Sequence, residues 1–242
     1  ARGHLAAVPE GARLIVGSTG DPRAVRAALE TGPFDAAMHF AAFIEAGESM
    51  RDPGLFFANN VANTITLLNE LVEAGVERFV FSSSAAVYGE PQTVPTPEDH
   101  PIQPLNVYGE TKALVERMLR WYGERYGLRW VALRYFNAAG ATDDRGEAHD
   151  PETHLIPLVL QVALGQRESI AIYGDDYPTR DGTCVRDYVH VLDLAQAHLL
   201  ALEQCDRGGG VFNLGNGQGF SNLEVVEAAR RVTGHPIHVM MA

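Results

Sequence analysis

At 242 residues, with 46% hydrophobic and 21% charged residues, the chain has the composition of an ordinary globular protein with room for one large domain, or one domain and a smaller lobe. A net charge of −12 excludes non-specific nucleic-acid binding and attraction to anionic membranes, because phosphate selects basic surfaces. Cys184 and Cys205 lack Cys-x-x-Cys spacing, so neither a disulfide framework nor a metal site is expected, and with no apolar run near the roughly 20 residues of a membrane span and no signal-peptide core, a cytoplasmic, membrane-free setting follows.

In chain order, Arg13-Leu14-Ile15-Val16-Gly17 reads as a short apolar strand, followed by a helix over about 21–30 capped by Thr31-Gly32-Pro33. Asp35 to Ala42 is the next strand, apolar in the manner of a sheet buried on both faces. Leu55 to Ala74 keeps helical spacing through Val61, Thr64, Leu67, Leu68, Leu71 and Val72, and ends at Gly75. Arg78–Ser83 predicts a strand, Asn106–Tyr126 a long helix and Leu128–Tyr135 a strand. Alternating strands and helices with short connections predict an α/β fold, a doubly wound parallel sheet with right-handed crossovers.

Beyond Asn137 the chain turns polar, then continues as a helix over 155–164, a strand over 169–173 and a turn-rich stretch over 174–182. Arg186–Val191 is expected to run back toward the main sheet before a helix over 192–202. Gly210–Leu214 is a strand, and Ser221-Asn222-Leu223-Glu224 is a capping box opening the last helix. The glycines of Gly215-Asn216-Gly217-Gln218-Gly219 fall at alternate positions, which suits a strand-to-helix turn rather than a phosphate loop.

The chemistry concentrates at Val107-Tyr108-Gly109-Glu110-Thr111-Lys112. Tyr108 and Lys112, four apart, share one helix face. A tyrosine titrates near about 10, and a cation within about 4–6 Å lowers that by roughly 1–3 units, so Tyr108 is expected to be a usable base. By itself Tyr-x-x-x-Lys also suits an ordinary amphipathic helix with a surface lysine. Ser84, however, closes a hydrophobic strand, and open α/β sheets bind ligands at that carboxyl edge.

With Phe81-Ser82-Ser83-Ser84-Ala85-Ala86-Val87-Tyr88-Gly89 before it and Leu133-Arg134-Tyr135-Phe136-Asn137 after it, the chain resembles the extended short-chain dehydrogenase/reductase family, from about Arg13 to Met241. Among its members the UDP-sugar 4-epimerases match most. The resemblance implies a partial NAD-binding Rossmann domain over 1–137 and a smaller substrate-binding lobe over 138–242, from which 185–204 returns to the main sheet. It implies interconversion of UDP-glucose and UDP-galactose by transient oxidation at C4, with NAD regenerated each cycle. Tyr108 would be the base, Lys112 would hold the ribose and lower the tyrosine pKa, and Ser84 would bond the same sugar hydroxyl. Cofactor contacts would come from Ser18, Phe40, Ala41, Ala42, Asn59, Ser82, Tyr108, Lys112, Tyr135 and Phe136. Substrate contacts would come from Ser84, Tyr108, Asn137, His154, Leu155, Ala171, Tyr173 and Arg186.

Departures from the family pattern are equally specific. Ser18 stands where an adenine-binding acid is usual, Ile44 where some members carry lysine, and His154 where asparagine is common. A dehydratase of the same family would need acids in place of Ala85-Ala86, which cannot protonate a leaving hydroxyl; another sugar-nucleotide oxidoreductase or a decarboxylase would share the triad, and a non-catalytic nucleotide-binding module is the reading from another class. The family's glycine-rich strand-turn-helix does not precede Ala1, so further residues are expected on both sides, and the chain by itself is expected to bind NAD weakly. A homodimer through the helices at 55–74 and 106–126 is also implied.

Overall fold

The computed structural model describes residues 4–242 and divides into two compact units. In chain order the first elements are α1 (Pro22–Leu29), β1 (Ala36–His39), α2 (Ala46–Arg51), α3 (Pro53–Phe56), α4 (Asn63–Glu73), β2 (Arg78–Ser82), α5 (Val107–Tyr126), β3 (Arg129–Tyr135) and β4 (Asn137–Ala139). They are followed by α6 (Leu155–Ala163), β5 (Ile170–Ile172), β6 (Val185–Arg186), β7 (Tyr188–His190), α7 (Val191–Cys205), β8 (Gly210–Leu214), β9 (Phe220–Ser221), α8 (Asn222–Thr233) and β10 (Val239–Met241).

The sheet unit comprises residues 11–136 and 194–214. Its sheet runs β1-β2-β3-β8, every pair parallel, with Phe81 beside His39 and Ala132 beside Phe81. Side chains alternate across a strand, so Phe79 and Phe81 enter one core with Leu68, Leu71, Val115 and Leu119 of α4 and α5. Val80 enters the opposite core with Val131, Leu133, Ala201 and Cys205, the last two from α7. Both faces being covered explains why β2 reads as a continuous apolar run.

The other unit comprises, among the described residues, 4–10, 137–193 and 215–242. Val159 and Val162 of α6, Ile170 and Ile172 of β5, Val226 of α8 and Ile237 form its core. Small ladders, β5 with β10, β4 with β7 and β6 with β9, complete it. Ser221 and Glu224 make the expected reciprocal cap on α8.

Several expectations are corrected. Arg13–Val16 forms no strand: it has no ladder partner among the described residues, and Leu14 and Val16 are exposed, so β-propensity has nothing to pair with. The segment 35–42 is a strand only over Ala36–His39, leaving Phe40, Ala41 and Ala42 beyond the sheet. α1 ends at Leu29 with Glu30 as its right-handed C-cap, so Thr31-Gly32-Pro33 follows the cap rather than forming it. The helix at 55–74 is not uniform, since Phe57–Ala62 widens into a π-helical turn between α3 and α4. Arg186–Val191 does not run back to the main sheet: β6 and β7 pair with β9 and β4, and the returning segment is Leu194–Leu214 rather than 185–204. The short elements α2, β4, β9 and β10 carry too few residues to show a period.

Candidate active site

Local rules place Tyr108 in the first turn of α5. The Asn106 side chain caps the helix by accepting from Gly109 N at 2.8 Å, and Ser49 Oγ of α2 accepts from Tyr108 N at 3.1 Å. Gly109 lets this end approach the turn after Ser84, because a Cβ there would lie 2.5 Å from Ala86 O. The Ser84 hydroxyl thereby lies near enough to the Tyr108 phenol to lower its proton affinity, and it accepts from Ala86 N at 3.2 Å.

Lys112 follows one turn later and is 3% exposed. Its Nζ donates to Ser82 O at 2.7 Å and lies 4.9 Å from the Phe81 ring centroid and 5.7 Å from that of Tyr108. Ser82 Oγ and Tyr135 OH are hydrogen-bonded to each other. Ser82, Ser84, Tyr108, Lys112 and Tyr135 are thus brought together where β2 and β3 end, as the motifs imply.

The electrostatics correct one expectation. Burial pushes the Tyr108 phenol up to about 12, with the Ser84 hydroxyl opposing and Tyr135 reinforcing the rise. Lys112 does not lower it in the protein alone, because its ammonium is turned to the Ser82 carbonyl. Burial also pushes Lys112 down to about 8, against the pull of Glu116. His39 is held down to about 4 by burial and by Lys112.

Behind these groups lies a polar network that motif reading missed. Glu116, one turn past Lys112, accepts from Ser83 Oγ at 2.5 Å and from Arg134 through Nε at 2.9 Å and Nη2 at 2.5 Å. Arg134 Nη1 donates to Tyr88 OH at 2.8 Å, and Tyr88 OH donates to Asn213 Oδ1 at 2.6 Å. One available signal is that Lys112 is the only lysine in a chain otherwise using arginine for its cations. The other is the four-residue step from Lys112 to Glu116.

The residues near the sheet edge fit a dinucleotide. Phe40 is exposed past β1, and its ring centroid lies 4.7 Å from that of His198, which also sits 6.0 Å from Tyr135. His198 Nδ1 bonds Leu194 O at 2.7 Å, and its buried Nε2 has no hydrogen-bond partner among the described residues, which fits a polar group of a bound ligand. Asn59 lies in the π-helical turn, with its amide donating to Asn60 Oδ1 at 2.9 Å. Phe136 is half-buried directly after β3. Ser18 is exposed and its hydroxyl accepts from Gly20 N at 3.1 Å, the role of a turn residue.

The second unit contains a cleft of about 1060 Å³ lined by Asn137, His154, Leu155 and Arg186 among others. Asn137 Nδ2 donates to Asp187 O at 2.8 Å, and the Asp187 carboxylate accepts from Asn216 N and Gly217 N at 2.9 and 3.0 Å. Arg186 is exposed, its Nη1 donating to Val185 O at 3.3 Å. Ala171 lies on β5 and Tyr173 just past it, and neither is among the described residues lining the cleft. His149, Glu152 and His154 bring one donor atom each within 4.8 Å of the others, with His154 Nδ1 2.8 Å from Glu152 Oε1. No metal was expected from the sequence. His154 is the residue preceding α6, whose N-terminal end disfavours a cation.

The chain matches the family described as NAD dependent epimerase/dehydratase family over residues 2–215. It is 51% identical over 245 residues to a UDP-glucose 4-epimerase of Halalkalibacterium halodurans, covering 100% of this chain and 73% of that protein. A Streptomyces lividans UDP-glucose 4-epimerase is 52% identical over 244 residues, covering 99% and 73%. Among solved structures, a UDP-glucose 4-epimerase from Brucella ovis in complex with NAD superposes with a TM-score of 0.94 at 45% identity, covering 99% of this chain and 74% of the other.

Proposed function

Because the chain belongs to the NAD dependent epimerase/dehydratase family, we propose that it is an NAD-dependent UDP-glucose 4-epimerase, an isomerase that interconverts UDP-glucose and UDP-galactose by reversible oxidation at the sugar C4. The observation that carries this reading is the meeting of Ser84, Tyr108 and Lys112 at the end of β2, in a chain half identical to enzymes of that name. Bound NAD would supply the hydride acceptor and a positive ring that opposes the effect of burial on Tyr108.

Tyr108 takes the proton of the C4 hydroxyl, and Ser84, beside Tyr108, orients that hydroxyl and relays its proton. Lys112 and Tyr108 hold the ribose hydroxyls, and Phe40, Ala41 and Ala42 form the apolar floor beside them. Ser82, Asn59, Tyr135 and Phe136 complete the cofactor site, and Ser18 lies at the adenine end. Asn137, His154, Leu155 and Arg186 bind the nucleotide of the substrate, Arg186 through the planar fork that suits phosphate oxygens. Ala171 and Tyr173 take the uridine. The division of labour is an NAD-binding sheet unit and a substrate-binding second unit. Ala85 and Ala86 disfavour a dehydratase, since neither side chain can carry a proton.

The protein acts as a cytoplasmic homodimer in this reading. Leu55, Ile65, Trp121 and Tyr126, exposed on or beside α3, α4 and α5, support an interface along those helices. No helix of the described residues is long and apolar enough to cross a membrane. Incubation with UDP-glucose and NAD should yield UDP-galactose by chromatography without net NADH, and failure to form it with NAD bound would refute the assignment. A monomeric mass in solution would remove the dimer.

A further inference from the structure

Glu116 has no place in the proton transfers described above, yet it is the anion around which the site's supports are built. It is 8% exposed, and it joins three elements that each carry a candidate residue. On α5 it stands one turn from Lys112. On the β2 side it accepts from Ser83, the neighbour of both Ser82 and Ser84. On β3 it forms an ion pair with Arg134, the neighbour of Tyr135, and Arg134 passes the link to Tyr88 and to Glu98 O at 3.1 Å.

We propose that Glu116 is a positioning residue for the reaction: its carboxylate fixes the strand ends that carry Ser84 and Tyr135, and its charge, one turn away, keeps the Lys112 ammonium protonated. The groups facing Lys112 are His39 on β1, Tyr108 and Glu116 on α5, and the Ser82 carbonyl on β2, with Arg134 on β3 beyond Glu116. His39 is neutral near neutral pH, and before NAD binds burial holds the Tyr108 phenol high, so the Glu116 carboxylate is the acidic side chain that acts on Lys112. Arg134 pairs with Glu116, and a buried ion pair of this kind supplies orientation more than stability.

The inference rests on the assignment of Tyr108 and Lys112 above, and the test separates the two. Because Lys112 is the only lysine, protein labelled with carbon-13 at the lysine ε-carbon gives one side-chain NMR signal, whose titration reports that amine directly. The parent should titrate near about 8. In Glu116→Gln the midpoint should move to lower pH, and kcat above neutrality should fall roughly tenfold with KM nearly unchanged. Glu116→Gln strands a buried guanidinium, so Glu116→Gln/Arg134→Met removes both charges; it should regain thermal stability while the lysine midpoint stays low. A lysine titration identical to the parent's in both variants, or a rate loss that disappears whenever stability is regained, overturns the proposal. Lys112→Met addresses the underlying assignment alone: full activity there refutes the role of Lys112, whatever the titrations give.

Discussion

In the sheet unit, Lys112, Glu116 and Arg134 are 3%, 8% and 5% exposed, whereas in the second unit Arg186, His154 and Arg145 stand exposed along the cleft. The first set has few degrees of freedom, since Lys112 is bonded to the Ser82 carbonyl at the end of β2 and Glu116 and Arg134 are bonded to each other. Burial there favours the neutral form of each group, raising Tyr108 and lowering Lys112. The second set faces water, which screens charge and permits side-chain movement, a setting suited to capturing a soluble anion. The proposed function assigns proton chemistry to the first region and recognition to the second.

The strongest way to break that contrast is Tyr108→Phe, which keeps the ring and removes the acid–base group. It should lower kcat by about 10² to 10⁴, while NAD, followed by protein fluorescence, stays bound because Lys112 still holds the ribose. Activity within about twofold of the parent would remove Tyr108 from the mechanism.

A pH experiment probes burial itself. His39 has a folded pKa of about 4 against 6.5 unperturbed, so the unfolded chain takes up the proton first as pH falls. The stability His39 contributes is complete above about 6.5 and is lost as pH drops toward about 4, amounting to about 3 kcal/mol at most. Urea unfolding at a series of pH values should show a steeper loss in the parent than in His39→Gln over that window. Parallel curves would mean that His39 is hydrated.

The smallest effect belongs to the exposed set. Arg186→Ala should raise KM for the UDP-sugar about tenfold with kcat little changed, because it removes binding shared by ground and transition states. A fall in kcat at unchanged KM would move Arg186 into the reacting group and blur the distinction between the regions.

Local rules were enough for much of this molecule. The helical period over α5, the four-residue step between Tyr108 and Lys112, the apolar run of β2 and the Ser221–Glu224 cap each depend on residues within a few positions of one another, so they are legible in the amino-acid sequence. What tertiary structure alone decided involves distant partners. Arg13–Val16 had strand composition but no neighbour to pair with among the described residues, and β6 and β7 found their ladders away from the main sheet. The Glu116–Arg134 pair joins a helix to a strand, and its meaning is invisible until the two are packed. The Tyr108 phenol is the sharpest case: spacing predicted a lowered pKa from a nearby ammonium, whereas packing turned that ammonium to a carbonyl and let desolvation prevail. Proximity along a helix is a property of sequence, but the dielectric around it is a property of the whole fold.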